Sequence, residues 1–528
     1  MGSQEYELKE YDELFIKVPN NGTADLMLVT GSAYVFGAEL VRNKTYRLGF
    51  GLHNLFSGHN TTKVKVTTVG PAKVERSQQS GAVLSQGLTR FLQESIGAPR
   101  HHIDPQTQEP RSTPCFVVTG GTRDGKGQVG RTGLCRSVIN NVARINPGKT
   151  IMYVSLDPSG DGLGVPGCIG AAELIQGWPV DGLRVQTPIC HFVGRTKEIG
   201  EYESRGTQAD RSIKHYDNCL EKLTAAVRER VRQPSSTVCC VVVDDQRCHP
   251  PKLTTKQGAA GPDAEYAALA EPSHHLMKVI RLFNQDTCHV SHCVALWDLS
   301  DYGMGNPIRY RRFFAQHQGA VSAANAPARN IQWHFKLPVL QKHISAIVRE
   351  LNLAETNPVD RIMDAYLNGP HALRVPEGDR ARYVGPTTPI PRARTVTVPL
   401  SRVVMVQPQT MHRTASEWST VVGAVDGRVT AYTMDIAHLS TEHLQHHVVA
   451  VSHEPIPEGE GQDAEASADV SLSRPVRLVG WVADVLDKAK EADSITKLVL
   501  TMRGEVGRDK LYLLVSDNSF KCQPYSGL

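Results

Sequence analysis

The stretch Pro114–Arg136, PCFVVTGGTRDGKGQVGRTGLCR, decides the fold. A short apolar run, Cys115–Val118, enters a glycine-rich segment, after which Leu134, Val138, Ile139, Val142 and Ile145 recur at helical spacing. Strand, glycine-rich loop and helix is the context of a phosphate cradle. Backbone N–H groups wrap the phosphates, the helix N-terminus adds partial positive charge, a lysine reaches the terminal phosphates and a Ser/Thr hydroxyl holds Mg²⁺. Two overlapping frames fit, and each lacks one part. Gly120 to Lys126 keeps the lysine but places Gly127 where the hydroxyl belongs. Gly125 to Thr132 keeps the hydroxyl but places Arg131 where the lysine belongs. A plain glycine-rich surface loop is the competing explanation, because glycine patterns alone are common.

Working outward, residues 115–385 alternate strand-like and helix-like runs. Thr150–Leu156 reads as a buried strand ending at Asp157, and Leu183–Phe192, Val238–Val243 and Cys293–Trp297 read as further strands. Helical periodicity covers Ile213–Val231 and Tyr266–Phe283. Such alternation predicts a mostly parallel sheet with helices on both faces, and ligands of such sheets bind beyond the strand C-termini. The glycine-rich segment and Asp157 both fall there.

On either side the pattern turns to β. Leu14–Val18, Asp25–Val29, Ala33–Phe36, Thr45–Leu48 and Thr62–Val66 are short runs separated by turn residues, which predicts a small β-sandwich. A helical stretch at Val83–Ser95 closes this part. From about Pro391 β-like runs return as far as Leu511–Val515, interrupted by an acidic, small-residue segment at 454–470 that reads as disordered. The expected domains are therefore 1–98, a linker at 99–114, an α/β domain at 115–385 and a β domain at 386–528.

The 528 residues suffice for about three domains. A net charge of +4 gives no electrostatic case for nucleic acid. No apolar run approaches a membrane span, and the acidic start, MGSQEYELKEYDE, does not read as a signal peptide. Eleven cysteines, several inside apolar runs, read as reduced buried thiols of the cytosol or nucleus.

Four stretches together resemble a known family, the RNA 5′-hydroxyl kinase subunit of the eukaryotic pre-mRNA cleavage and polyadenylation machinery. Glu13–Val18 resembles its opening strand, and Gly31–Leu40 with Arg42-Asn43-Lys44 its N-terminal motif. Gln128–Arg136, followed by Tyr153–Asp157 and Pro166-Gly167, resembles its P-loop core. Met434-Asp435-Ile436, the helix-like His443–Val448 and Asp509–Asp517 match its C-terminal domain more weakly. The resemblance implies a P-loop core between a β-sandwich and a small β domain. It also implies ATP and Mg²⁺ as cofactors, a cleavage-factor scaffold protein as partner, possible contact with RNA, and a nuclear location. Some members phosphorylate RNA 5′ ends and others have lost that activity.

Carried over residue by residue, the resemblance places Glu13 and His53 at adenine contacts and Gly125, Gln128, Val129, Gly130, Arg131, Thr132 and Gly133 around the phosphates. Thr132 becomes the Mg²⁺ hydroxyl, Arg131 (or Lys126 in the first frame) the phosphate cation, and Asp157 the acid that orients the attacking hydroxyl. His53 stands where the family is usually basic. Arg131 has the charge of lysine, but its planar fork fits poorly as a point charge among phosphate oxygens. Asp157 continues as Pro158-Ser159-Gly160, without the Gly and Gln that follow it in the family. The family's Thr-x-Gly-Trp clasp would fall near Val243–Gln246 and is absent; Asp244 and Asp245 stand there, either as Mg²⁺ ligands or as solvent-facing acids. No lid arginine can be placed: Arg309, Arg311 and Arg312 form the densest basic knot and Arg349 is a second possibility, with plain surface arginines the competing explanation.

With three elements degraded, the reading leans towards a nucleotide-binding subunit that does not transfer phosphate. An active ATP-dependent polyribonucleotide 5′-hydroxyl kinase in mRNA 3′-end formation or tRNA splicing is the runner-up, and a P-loop enzyme for a small molecule comes third. Cys288-His289 with His292-Cys293, and the histidines at 438, 443, 446 and 447, contain ligand-type residues but lack the spacing of a zinc site.

Overall fold

The computed structural model describes residues 2–10, 12–19, 22–49, 51–58, 61–77, 113–119, 131–158, 162–163, 165–182, 189–194, 209–245, 274–285, 287–295, 332–334, 366, 394–399, 403–408, 419–421, 431–434, 447–452, 476–489, 492–502 and 511–515. The chain divides into two compact units. The first comprises Met1–Val154, Ala172–Val185 and Ala226–Ala354; the second comprises Ser155–Ala171, Gln186–Ala225 and Glu355–Leu528.

The first unit begins with nine strands: β1 (Gly2–Leu8), β2 (Glu13–Val18), β3 (Thr23–Thr30), β4 (Ala33–Val35), β5 (Ala38–Glu39), β6 (Thr45–Leu48), β7 (Gly51–Ser57), β8 (Thr62–Val69) and β9 (Lys73–Ser77). They form two sheets, β1-β8-β3-β6 and β5-β4-β7-β2-β9. Alternation explains the sandwich. Leu26 and Leu28 from one sheet and Leu14, Ile16 and Leu55 from the other project into one apolar core with Val64 and Val66. Strand β1 was not expected from sequence, because it is a polar edge strand, mostly exposed and paired only with β8.

The α/β elements follow along the chain. Strand β10 (Thr113–Thr119) precedes the glycine-rich segment and helix α1 (Arg131–Ile145) follows it; β11 (Thr150–Ser155) comes next. Strands β12 (Cys168–Leu174) and β13 (Ile189–Phe192), helix α2 (Ala209–Arg232), strand β14 (Val238–Asp244), helix α3 (His274–Phe283), strand β15 (Cys288–Ala295) and strand β16 (Gln332–His334) complete the series. In the first unit the hydrogen-bonded order is β11-β14-β10-β15-β16, and β10 is parallel to both its neighbours. Valine-rich β10 and β14 are buried along most of their length, as a strand covered on both faces must be.

The second unit contains β12 and β13 over Cys168–Ala171 and Ile189–Phe192, which run antiparallel. This departs from the mostly parallel expectation. β12, with its small residues, was not anticipated, and an antiparallel pair needs no crossover helix. The unit's larger sheet is built from β17 (Arg394–Pro399), β18 (Val403–Pro408), β19 (Ser419–Val421), β20 (Ala431–Met434), β21 (Val448–Ser452), β22 (Val476–Ala489), β23 (Ala492–Met502) and β24 (Leu511–Val515). Their order is β17-β23-β22-β21-β24-β18-β20-β19. Val448 opens a strand rather than ending a helix, and Val448, Val449 and Ala450 are all buried where β21 pairs with β22 and β24; residues 443–446 of the helix-like stretch lie outside the described residues. No described helix is long and apolar enough to cross a membrane.

Candidate phosphate-binding site

The site candidates converge where β10 and β14 end. These parallel neighbours place Val118 beside Asp244, and α1 begins after the glycine-rich segment with Arg131. Thr132, in the first turn of α1, donates its hydroxyl to Asp244 Oδ2 at 2.7 Å. Tyr153, on neighbouring β11, donates to the same oxygen at 3.0 Å. Burial, and then the Asp244 carboxylate, push the Tyr153 phenol well above its usual range, so it remains a donor. The same two causes raise the Cys135 thiol.

Asp245 serves a second set of partners. Its N–H donates to the Val118 carbonyl at 2.9 Å, and its Oδ2 accepts from the Thr119 hydroxyl at 2.9 Å. His275 Nε2 lies 2.8 Å from Oδ1, and the buried guanidinium of Arg131 donates through Nη1 to the Asp245 carbonyl. Consecutive strand residues point to opposite sides. Asp244 therefore addresses α1 and β11, whereas the Asp245 side chain addresses β10 and α3. Both are buried, at 1% and 0% exposure, so neither is a solvent-facing acid. Unpaired carboxylates cannot be held at such depth, and the neighbouring donors are what permit it.

The N-terminal motif packs on the same helix. Phe36 adopts φ 46°, unusual for a residue with a side chain, and its carbonyl accepts from Asn140 Nδ2 at 2.9 Å. Asn140 Oδ1 accepts the Trp178 N–H at 2.6 Å. The Arg136 guanidinium lies 5.7 Å from the Phe36 ring centre and 4.8 Å from that of Trp178. Glycine is required at 37 and 177: both have positive φ, and a Cβ would lie 2.9 Å from Asn141 Nδ2 or 2.6 Å from Asn140 Oδ1.

The predicted site residues are thus only partly assembled. Arg131 and Thr132 stand together at the start of α1, and a Cβ at Gly133 would lie in ordinary contact with Phe36. Glu13 is buried and accepts from Asn54 Nδ2. It shares a face with Phe56 and Tyr34, and Arg144 of α1 lies over the Tyr34 ring. His53 pairs with Ile16, on the opposite, core-facing side of that sheet, and its Nε2 is 2.8 Å from the Gly49 carbonyl. Glu13 and His53 therefore do not line one adenine site. Asp157 is buried in the second unit, where Tyr216 donates to the carbonyl of the preceding Leu156 at 2.9 Å. Gly125, Lys126, Gln128, Val129, Gly130 and the four lid arginines lie outside the described residues. Cys288 and Cys293 are buried, His292 stacks on Phe116 with ring centres 4.5 Å apart, and no group of three metal-ligating side chains occurs among the described residues. Sequence reading missed Thr119, Tyr153 and His275: each looks like an ordinary strand or helix residue until its partner on another element is known.

A β-sandwich joined to a strand–glycine loop–helix α/β layer defines a P-loop protein with an N-terminal β-sandwich. Two family models match the chain. One is described as mRNA cleavage and polyadenylation factor CLP1 P-loop, over residues 125–244. The other is the N-terminal beta-sandwich domain of polyadenylation factor, over residues 7–85. Among curated proteins, the chain is 27% identical over 242 residues to polyribonucleotide 5′-hydroxyl-kinase Clp1 of Homo sapiens, covering 45% of this chain and 50% of that protein. It is 28% identical over 195 residues to the protein CLP1 homolog of Culex quinquefasciatus, covering 36% and 42%. The matched region thus spans about half the length of these relatives. Among solved structures, the wild-type Clp1p–Pcf11p complex superposes with a TM-score of 0.63 at 15% identity, covering 99% of this chain and 98% of that one. A second Clp1p–Pcf11p structure, with a TM-score of 0.63 at 14% identity over 99% of each chain, concerns ATP loss in a glycine-to-arginine point mutant. Over its N-terminal β-sandwich and its P-loop region the chain is Clp1-like.

Proposed function

We propose that this chain is a P-loop subunit of the mRNA 3′-end cleavage and polyadenylation machinery that binds ATP and a scaffold protein without transferring phosphate efficiently. The Thr132–Asp244 pair carries the nucleotide part of this reading. A hydroxyl and a carboxylate, both hard oxygen ligands, meet at the start of a helix beyond the carboxyl end of a parallel sheet. Bound Mg²⁺ would neutralise phosphate charge there. Thr132 and Asp244 would hold it, while the partial positive charge of the α1 N-terminus faces the phosphates. This favours the second frame of the glycine-rich segment.

Arg131 supports the absence of efficient transfer. Phosphoryl transfer relies on positioned positive charge over the phosphates. The Arg131 guanidinium is instead directed inward to the Asp245 carbonyl. Glu13 remains available to the reading as the adenine contact, and His53 does not, because it faces the sandwich core. Asp157 is retained as the candidate acid. The domain division at 98, 114 and 385 and the nuclear location belong to the same proposal. The scaffold partner is proposed from the Pcf11p-bound Clp1p neighbours, whose likeness to this chain is one of fold.

A second reading, an active 5′-hydroxyl kinase, is favoured by the intact Thr132–Asp244 pair. Radiolabelled ATP with a 5′-hydroxyl oligoribonucleotide separates the two. Bound nucleotide without labelled product, with affinity lowered by Thr132→Ala, is the expected result. Turnover abolished by Asp157→Ala would overturn the preferred reading. Retrieval from nuclear extract should recover 3′-end cleavage factors, and recovery of metabolic enzymes alone would refute the assignment.

A further inference from the structure

Asp245 is bonded to the residues on both sides of the glycine-rich segment. Thr119, the last residue of β10, donates its hydroxyl to Asp245 Oδ2, and Arg131, the first residue of α1, donates to the Asp245 carbonyl. The N–H of Asp245 holds Val118, one residue further back, and His275 Nε2 meets the remaining carboxylate oxygen. One fully buried residue thus ties the departing strand, the returning helix and the start of α3. We infer that Asp245 and His275 are positioning residues that set the distance and orientation between the two ends of the phosphate-binding segment. The nucleotide-binding consequence rests on the function proposed above.

The argument is one of cost and placement. A buried carboxylate is tolerated only when its oxygens are satisfied, and removing one partner costs more than the bond itself contributes. An apolar residue could fill the same volume without that requirement. Asp245 instead spends both carboxylate oxygens and both backbone groups, three of the four on residues within two positions of the segment, Val118, Thr119 and Arg131. His275, 8% exposed in the first turn of α3, supplies the fourth contact from an element that does not adjoin the segment in sequence. Asp245 lies in the stretch where the resemblance places a Thr-x-Gly-Trp clasp, so a different device holds that place in this chain.

The test uses the full chain with Asp245→Asn, His275→Leu and His275→Gln, the last retaining an N–H donor. Amide hydrogen exchange is followed by mass spectrometry, and binding of a fluorescent ATP analogue with Mg²⁺ by titration. Asp245→Asn and His275→Leu should speed exchange at least tenfold in peptides covering Thr113–Thr119 and Arg131–Ile139, with β2, β7 and β8 unchanged. Analogue binding should weaken about tenfold, and His275→Gln should stay within about twofold of wild type. Unchanged exchange at both ends, acceleration spread evenly over the sandwich, or equal damage from His275→Gln and His275→Leu would each overturn the inference. If wild type does not bind the analogue yet the local exchange responds as described, the inference stands and the nucleotide reading fails.

Discussion

Asn140→Ala tests whether the sandwich motif is bonded to α1 as described. Asn140 is 6% exposed and bridges two main-chain groups, the Phe36 carbonyl at 2.9 Å and the Trp178 N–H at 2.6 Å. Truncation removes both bonds at once. Each buried main-chain group left without its partner costs about 1–3 kcal/mol, and the two share one side chain, so the expected loss is about 3 kcal/mol. In a unit of this size about 1 kcal/mol moves a thermal midpoint by roughly 2–4 °C, which predicts a fall of about 6–12 °C. The assay is differential scanning calorimetry of the full chain, read as a shift of the affected transition, because a chain of two units need not unfold in one step. Asn146→Ala is the control. Its amide donates to the Val142 carbonyl, which already accepts the Asn146 N–H, so its loss should cost below about 0.5 kcal/mol. Equal effects of the two substitutions, or a shift below about 2 °C for Asn140→Ala, would refute the reasoning.

Arg131→Lys should destabilise the first unit by about 1.5–3 kcal/mol, since a charge-assisted bond to the buried Asp245 carbonyl is lost, and any loss of ATP affinity should accompany that destabilisation. A tenfold loss of ATP affinity at unchanged stability would mean that Arg131 faces the phosphates after all. Burial pushes the thiols of Cys239 and Cys288 up to about 11 and that of Cys190 up to about 12. A thiol whose folded value exceeds its unfolded one keeps its proton in the folded state, so this contribution to stability is complete below about pH 9 and is lost as pH rises towards 12. Urea midpoints should accordingly fall over pH 9–12, and DTNB at pH 8 should react with the buried Cys190 and Cys288 only after unfolding; rapid labelling of these two in the native protein would contradict their burial.

Much of the architecture was legible because burial imposes periodicity. The valine-rich runs of β10 and β14 and the 3.6-residue repeat of α1 are read directly from residue type. Gly2–Leu8 escaped notice because an exposed edge strand carries no such signal, and the helix-like reading fails at Val448, where sheet pairing prevails. At the site, Thr132 was visible as part of a motif, whereas its partner was visible only as an acid without a direction. Whether Asp244 and Asp245 face solvent or the interior depends on Tyr153, Thr119 and His275, each from a different element. Glu13 and His53 illustrate the same limit, since strand pairing places them on opposite faces.

Trp178 offers an optical gauge of this region. Its ring meets Tyr153 edge-on at 4.9 Å and lies under Arg136, while the Tyr153 hydroxyl rests on Asp244. A cation arriving at that carboxylate would be relayed through one phenol to an indole. With the other four tryptophans replaced by phenylalanine, emission colour would report occupancy without any attached dye.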